Sequence, residues 1–485
     1  MIDVNKAKQK ILDMAIRGKL TKQHHKDGNI NDEIKYYINN VEIENEFKKN
    51  KKQVKINAIE ELPFDIPKTW SWVRLGNVCS IFGRIGYRGY TKDDIVDDGD
   101  GAISLSPSNL VGFGKMDYSN CTYISWDKYN ESPEIMVNNE DIIIVKTGSS
   151  YGKTGFVSNL QKRATINPQL AILKYLQGNR KYILIILNTV FVKKQLDDFV
   201  LGSAVPTFSQ EDLANLMIPI PPLAEQNRIV EKVDKLFEIL DKIDEAQKKY
   251  QKDKEILKSK IIEAGIRGKL TKQLKSDGDV SDLLDEIRKE KEKLIKEGKI
   301  KRDKKETYIY KNPKDNLYYE KHQDGTEKCI QDELPFEIPK NWVWCHLNNI
   351  SYNVGSMNNQ IKTSEMQKMG KVPVISQGQD LIDGYTNEMD KIVNDTPLIL
   401  FGDHTRCVKY IDYAFVIGAD GVKLHKVIRC IDKYVYYWMK IAAKQMISNG
   451  YARHHSLLLE EFVPLPPLAE QERIVNRIEE LFNTI

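Results

Sequence analysis

Residues 221–240 read PPLAEQNRIVEKVDKLFEIL, and residues 466–485 read PPLAEQERIVNRIEELFNTI. The shift between them is 245 positions. Two further blocks repeat in the same order. Ile16-Arg17-Gly18-Lys19-Leu20-Thr21-Lys22-Gln23 returns unchanged at Ile266–Gln273, and LPFDIPKTWSWVRLGNV from Leu62 returns as LPFEIPKNWVWCHLNNI from Leu334. Three ordered blocks make the chain a tandem duplication, and their unequal spacing shows that the material between them varies in length.

The segment after Pro221-Pro222 carries apolar residues at Ile229, Val233, Leu236, Leu240 and Ile243, then at Tyr250, Leu257, Ile261 and Ala264. These alternating three- and four-residue steps predict a helix with a heptad seam, closed by Gly265 and Gly268. Its expected length is about 42 residues, or about 63 Å. A helix that long needs a partner along its stripe. Ala7, Ile11 and Met14 near one end of the chain share the spacing, as do Ile474, Ile478, Leu481 and Ile485 at the other. The two ends of the chain together nearly rebuild the middle of the repeat. This predicts antiparallel helical pairs, neighbouring termini and a pseudo-two-fold, circular organisation.

Between the helical pieces lie two unlike segments, 62–222 and 334–467. Each mixes β-like runs (141–145, 156–158 and 170–175; 372–375, 398–401, 414–417 and 422–424) with Gly/Asn/Ser turns and one amphipathic helix near its end, 181–200 and 434–447. The predicted class is α/β, mixed α+β. The predicted order is a helix over 1–23, a linker over 24–61, a domain over 62–222, the long helix over 223–270, a charged linker over 271–333, a domain over 334–467 and a helix over 468–485.

Composition narrows the function. The 485 residues are 41% hydrophobic and 29% charged with net charge +4, and mean hydropathy is −0.48. These values fit a soluble, cytoplasmic chain of more than one domain, although a net charge this small does not announce a polyanion partner. Six cysteines form no C-x-x-C pair, so zinc-ribbon and thioredoxin-like readings fall away. No catalytic centre is legible. DIIIVKTGSSYGKTG (141–155) has three residues between Gly148 and Gly152 where a phosphate-binding loop needs four, and the next residues, Gly155-Phe156-Val157-Ser158, read as a strand rather than a helix. Ile166-Asn167-Pro168-Gln169 lacks the second proline and the aromatic residue of a base-flipping methyltransferase loop. The eight histidines make no H-E-x-x-H, so no metal site is expected.

The repeated P-L-A-E-Q-x-R-I-V, the LPFDIPKTWSWVRLGNV block, GSAVPTFSQEDLANLMIPIPPLAEQ (202–226) and AGIRGKLTKQ (264–273) together resemble the specificity subunit of type I restriction-modification systems, the HsdS family. VPVISQGQ (372–379) and ILFGDHTRCVKYIDYAFVIGADGVKL (399–424) resemble that family's second target-recognition domain. The resemblance implies two recognition domains, each reading one half of a bipartite, asymmetric site on double-stranded DNA, with the helices as a ruler. It also implies docking of two methyltransferase subunits and of restriction (translocase) subunits, with AdoMet, ATP and Mg²⁺ bound by those partners and none by this chain. The docking residues so implied are Leu223, Gln226, Ile229 and Val233 in one half and Leu468, Gln471 and Ile474 in the other.

Base reading calls for amides and guanidiniums, with hydroxyls and ammoniums on phosphate. The candidates in the first domain are Arg84, Tyr87, Arg88, Tyr90, Ser149, Ser150, Tyr151, Lys153, Thr154 and Asn167, with Ser104, Ser106, Asn109 and Gln169 as neighbours. In the second domain they are Asn358, Asn359, Gln360, Lys362, Gln377, Gln379, His404, Thr405, Arg406, Arg453 and His454, with Ser376 beside them. The alternatives are a specificity subunit of a methylation-only system, a fused methyltransferase or nuclease, and a structural coiled-coil adaptor.

Overall fold

In the computed structural model, residues other than 48–55, 85–88, 201–204, 304–305, 355–358, 419–420 and 447–452 are described. The chain divides into two units, Met1–Lys248 and Lys249–Ile485. The long helix spans Leu223–Ile266, 44 residues, and contributes to both.

In the first unit the helix Val4–Ile16, capped by the Asp3 carboxylate on Lys6 N, lies antiparallel to the long helix. Lys8 pairs with Asp241, and Ile2 N donates to Gln247 Oε1 at 2.6 Å. In the second unit the helix Leu468–Thr484 does the same with the other half of the long helix. There the Lys258 ammonium lies 5.9 Å from the Phe482 ring, and the Tyr250 hydroxyl donates to Ile485 O at 3.2 Å. The expected seam is buried at Ile229, Val233 and Leu240 and half-buried at Leu236, Ile243, Ile261 and Ala264, whereas Tyr250 and Leu257 are exposed; towards its end the buried residue is Ile262, one position beyond the predicted Ile261.

The duplicated motif builds the same joint twice. Glu225 is 1% exposed and its carboxylate accepts from Trp70 Nε1 and Gln23 Nε2, each at 2.8 Å, and from Thr21 Oγ1 at 3.1 Å. Glu470 is fully buried and accepts from Trp342 Nε1 at 2.9 Å, Gln273 Nε2 at 2.8 Å and Thr271 Oγ1 at 3.1 Å. One carboxylate therefore ties the start of the long or C-terminal helix to the T-K-Q turn and to the strand-entering tryptophan. Arg228 and Arg473 fork onto Asp27 and Asp277 from the next turn of helix. Gly18 and Gly268 end the preceding helical runs at φ +64° and +67°, and a Cβ at either would strike Pro67 or Pro339. The repeated glycine is thus required twice over.

Each joint carries a head on a short antiparallel base, Ser71–Arg74 with Met217–Ile220 and Val343–His346 with Phe462–Leu465. The heads differ in sequence but share a plan. The four-stranded sheet of the first runs Ser80–Gly83, Leu170–Lys174, Ile142–Val145, Thr154–Phe156, and that of the second runs Ser351–Asn353, Val422–Val427, Leu398–Gly402, Val408–Ile411. Each has an accessory sheet with one parallel pair, Ala164–Ile166 on Gly101–Leu105 and Val416–Ile417 on Val372–Ile375. Ile142 and Ile144 pack toward the helices while Ile143 and Val145 pack toward the accessory sheet, which is why that strand reads as an unbroken apolar run.

Several sequence expectations change. The 24–61 linker contains the helix Asn31–Phe47, and Ile30, Tyr37 and Val41 are buried. The 271–333 linker contains the helix Val280–Lys296 and a three-stranded sheet, Tyr308–Lys311, Tyr318–Lys321 and Glu327–Cys329, which has no counterpart among the described residues of the first unit. Val280, Leu283 and Ile287 are buried and, with the partly buried Leu284 and Leu294, dock that charged helix. The single helix expected over 181–200 is two, Arg180–Leu187 and Val190–Phe199, because the Thr189 hydroxyl caps the second at Val192 N. The first helix ends at Ile16 rather than 23.

Glu225→Ala is expected to lower the stability of the first unit by about 3 kcal/mol, since the buried Trp70 indole loses its acceptor together with the Gln23 and Thr21 donors. Glu470→Ala should do the same to the second. Hydrogen exchange resolved by segment checks this, with protection falling only in the unit that carries the change.

Candidate nucleic-acid interface

In the first head the loops gather at one end of the four-stranded sheet. The turn after Ile142–Val145 is held by Lys146 N and Thr147 N on Gln169 O, at 2.8 and 3.3 Å, and by Gly148 N on Pro206 O at 3.0 Å. The Thr147 and Thr207 hydroxyls bond at 2.9 Å. Tyr151 leans on the helix Val190–Phe199: its hydroxyl donates to Asp197 at 2.6 Å and the Lys193 ammonium sits 3.2 Å from its ring centroid. These two partners hold the Asp197 carboxyl below its ordinary pKa. Thr154–Phe156 is a strand antiparallel to Ile142–Val145, so this Gly-rich turn is a β-hairpin and not a phosphate-binding loop.

The equivalent hairpin of the second head turns at 403–407. Asp403 N donates to Gly421 O at 2.7 Å, His404 N to Gln377 Oε1 at 3.1 Å and Thr405 Oγ1 to Gln377 O at 2.7 Å. Arg406 has φ +58°, a conformation rare for a residue with a side chain. Its Nη1 donates to Met446 O, and no described residue bonds its Nε–Nη2 edge. Asp403 also carries the returning chain, accepting from His454 N at 2.9 Å through its carbonyl and from His455 N at 2.8 Å through Oδ1.

Beneath this turn lies a histidine pair. The Ser351 hydroxyl donates to Leu347 O at 3.0 Å, so it accepts from His425 Nδ1–H at 3.2 Å. That leaves His425 Nε2 as acceptor for His455 Nε2–H at 2.9 Å. Burial, followed by the neighbouring His455 and Lys423, lowers the His425 pKa to about 3, and burial followed by Lys423 lowers that of His455 to about 4.

The candidates separate accordingly. Ser149, Gln169, Lys362, Gln379, Thr405 and Arg453 are exposed, and Tyr90, Ser150, Tyr151, Lys153, Asn359, Gln360, Gln377, His404 and Arg406 are partly so. Four candidates for base contact are instead interior. Arg84 donates from Nε to Ile166 O and from Nη2 to Thr165 Oγ1, Thr154 bonds Asn188, Asn167 bonds Gln169, and His454 is closed over Asp403. Tyr87, Arg88 and Asn358 lie outside the described residues. Of the neighbours, Ser104 and Asn109 are buried. Sequence reading missed Lys146, Asp403, Lys423 and Thr207; the last lies within the GSAVPTFSQ block and could have been flagged from it.

The docking candidates are corrected in the same way. Gln226 accepts from Asn179 N and donates to Pro221 O, and Gln471 accepts from Ile431 N and donates to Pro466 O. Ile229, Val233 and Ile474 are core residues. The identity of these positions in the two halves reflects the internal joint. Leu223 and Leu468, at 41% and 44% exposure, remain on the surface.

Among the described residues no cluster of His, Cys, Asp or Glu could hold a metal, and no helix is long and apolar enough to cross a membrane. Each unit thus carries, on its own copy of the joint, a head whose loop side chains differ from those of the other. Residues 67–251 and 339–485 match the family described as the type I restriction modification DNA specificity domain, and the chain belongs to that family. It is 25% identical over 99% of its length to the type I restriction enzyme EcoAI specificity subunit of Escherichia coli, covering 89% of that protein. It is 24% identical over 72% of its length to the EcoEI specificity subunit of the same species, covering 62% of it. A solved structure from work on complex assembly and conformational transition of the type I R-M system shares the fold at TM-score 0.54 and 17% identity. That alignment covers 87% of this chain and 92% of the other.

The histidine pair makes the second unit sensitive to acid. Both folded values lie below about 6.5, so as pH falls beneath 6.5 the unfolded chain takes up protons that the folded chain refuses. Stability is therefore full above pH 6.5 and is lost on the way down to about 4 for His455 and about 3 for His425. The slope is up to about 1.4 kcal/mol per pH unit for His425. Unfolding measured by segment across this range should show His425→Asn flattening the loss in the second unit.

Proposed function

We propose that each head reads one half of a bipartite, asymmetric site on double-stranded DNA, and that the chain has no catalytic centre of its own. The reading is carried by one observation: two heads share a sheet order and a joint, yet present different side chains at the same loop end. A frame that is constant where it holds and variable where it is exposed suits recognition of two unlike half-sites. In this reading the long helix and its partners fix the unspecified gap between them. Two methyltransferase subunits and the restriction subunits dock on the helical frame and bring AdoMet, ATP and Mg²⁺ with them. Leu223 and Leu468 are the docking residues on the surface of the frame.

Within the heads, Ser149, Lys153 and Tyr90 of the first and Gln379, Thr405, Arg406 and Arg453 of the second are the side chains placed to meet DNA. Arg406 is the strongest candidate for a base contact, because one nitrogen is pinned and a planar pair of donors remains, the arrangement that fits guanine O6 and N7. Arg406→Ala is expected to cost about 1–3 kcal/mol on the target duplex and to relax selectivity at one position. Binding assays on a set of single-base variants check this, and a uniform loss on every duplex would assign the guanidinium to phosphate instead.

Mapping methylated adenines in cells tests the division of labour. Exchange of residues 62–222 for those of a relative should change one half of the methylated motif and leave the other half and the gap intact. A motif changed in both halves, or in neither, would sink the two-head reading.

A further inference from the structure

Lys146 comes directly after the strand Ile142–Val145, inside the first reading end. Its amide donates to Gln169 O and its carbonyl accepts from Phe208 N at 3.2 Å, so its backbone is clamped between the two segments that flank the 147–153 turn. The side chain is part-buried, and burial pushes its ammonium pKa down. Nζ forms no hydrogen bond or ion pair with any described residue. Neighbouring charges behave otherwise: Lys193 has Asp197, and Lys174 has Asp141 and Met136 O.

The second head has a matching group. Lys423 stands opposite Phe401 in the sheet register, one step from the Gly402–Val422 pair where the 403–407 turn begins. It too is partly buried, and its Nζ has no bonded partner among the described residues. Its charge lowers the pKa of both His425 and His455, so it lies near that pair.

A cation taken partly out of water without a counter-charge is costly to hold. Such a group is accounted for when a ligand supplies the anion. Duplex DNA offers one negative charge per about 1.7 Å of axis, and backbone phosphates line the rim of any groove that a reading loop enters.

We propose that Lys146 and Lys423 are positioning residues, each seating one backbone phosphate beside its reading turn and so setting how deeply that turn meets the base edges. The inference rests on the DNA-reading function above and adds to it two residues that were not among the sequence candidates.

The test is titration of the full chain with two labelled duplexes, one carrying the mapped methylation motif and one scrambled, over a range of KCl concentrations. Lys146→Met and Lys423→Met should each weaken binding to both duplexes by the same factor. Each should also make the plot of log affinity against log salt shallower by about 0.9, and the double variant by about twice that. Lys146→Arg and Lys423→Arg should keep the wild-type slope. Thermal unfolding of the Met variants should be unchanged or raised, because an unpaired, partly buried charge has been removed. An unaltered slope overturns the proposal, as does a loss confined to the motif duplex or a lowered unfolding temperature restored by neither Arg variant. If the unaltered chain binds neither duplex, the DNA-reading function itself fails, which is a distinct result.

Discussion

The architecture depends on a buried carboxylate used twice. Glu225 and Glu470 each gather a tryptophan indole, a glutamine amide and a threonine hydroxyl from three separate segments. A carboxylate has lone pairs enough for all three donors, and a buried donor left without an acceptor is more costly than the bond itself is favourable. The joint therefore specifies its partners sharply. The adjacent glutamine, with one end on a proline carbonyl and the other on the N-cap amide of the helix Arg180–Leu187 or Asp432–Gln445, extends this specification into the head.

What the joint supports is a plan rather than a sequence. Both heads place a hairpin turn, a strand-to-strand turn and a returning segment at one end of a four-stranded sheet, and in both the backbone bonds among those loops are satisfied internally. In the first head the 147–153 turn is braced by Gln169 and Pro206, and in the second the 403–407 turn by Gln377, Gly421 and His454. The side chains that face outward are then free to differ without disturbing the scaffold. This is the usual division between a rigid framework and the loops that carry recognition.

Much of this was legible in the chain itself. Repeated blocks gave the duplication, the three-four spacing gave a helix of about 42 residues where 44 are observed, ending at Ile266 rather than at the predicted boundary of 270, and the apolar runs read at 141–145, 170–175, 372–375 and 398–401 became strands with ends shifted by a residue or less. Three things were hidden, each for a physical reason. The common sheet order of the heads was not readable, because strand pairing joins residues far apart and leaves no local pattern. The helix Val280–Lys296 passed as solvated linker, since only three of its residues are buried, with Leu284 and Leu294 partly so, among a majority of charged ones. Gln226, Gln471, Arg84 and His454 looked like surface recognition groups because a buried polar side chain with a backbone partner has the same letter as an exposed one. The repetition of Gln226 and Gln471 recorded an internal bond, and sequence alone cannot distinguish that from a shared binding surface.

The small sheet formed by Tyr308–Lys311, Tyr318–Lys321 and Glu327–Cys329 has a consequence of its own. It packs Ile309 and Ile330 against Trp344, while Tyr308, Tyr310 and Tyr319 fall on its opposite face. A molecule made of two equal copies would offer every visitor two indistinguishable ways of sitting down. This sheet, found in one copy alone among the described residues, makes the two copies unequal outside their heads as well as within them.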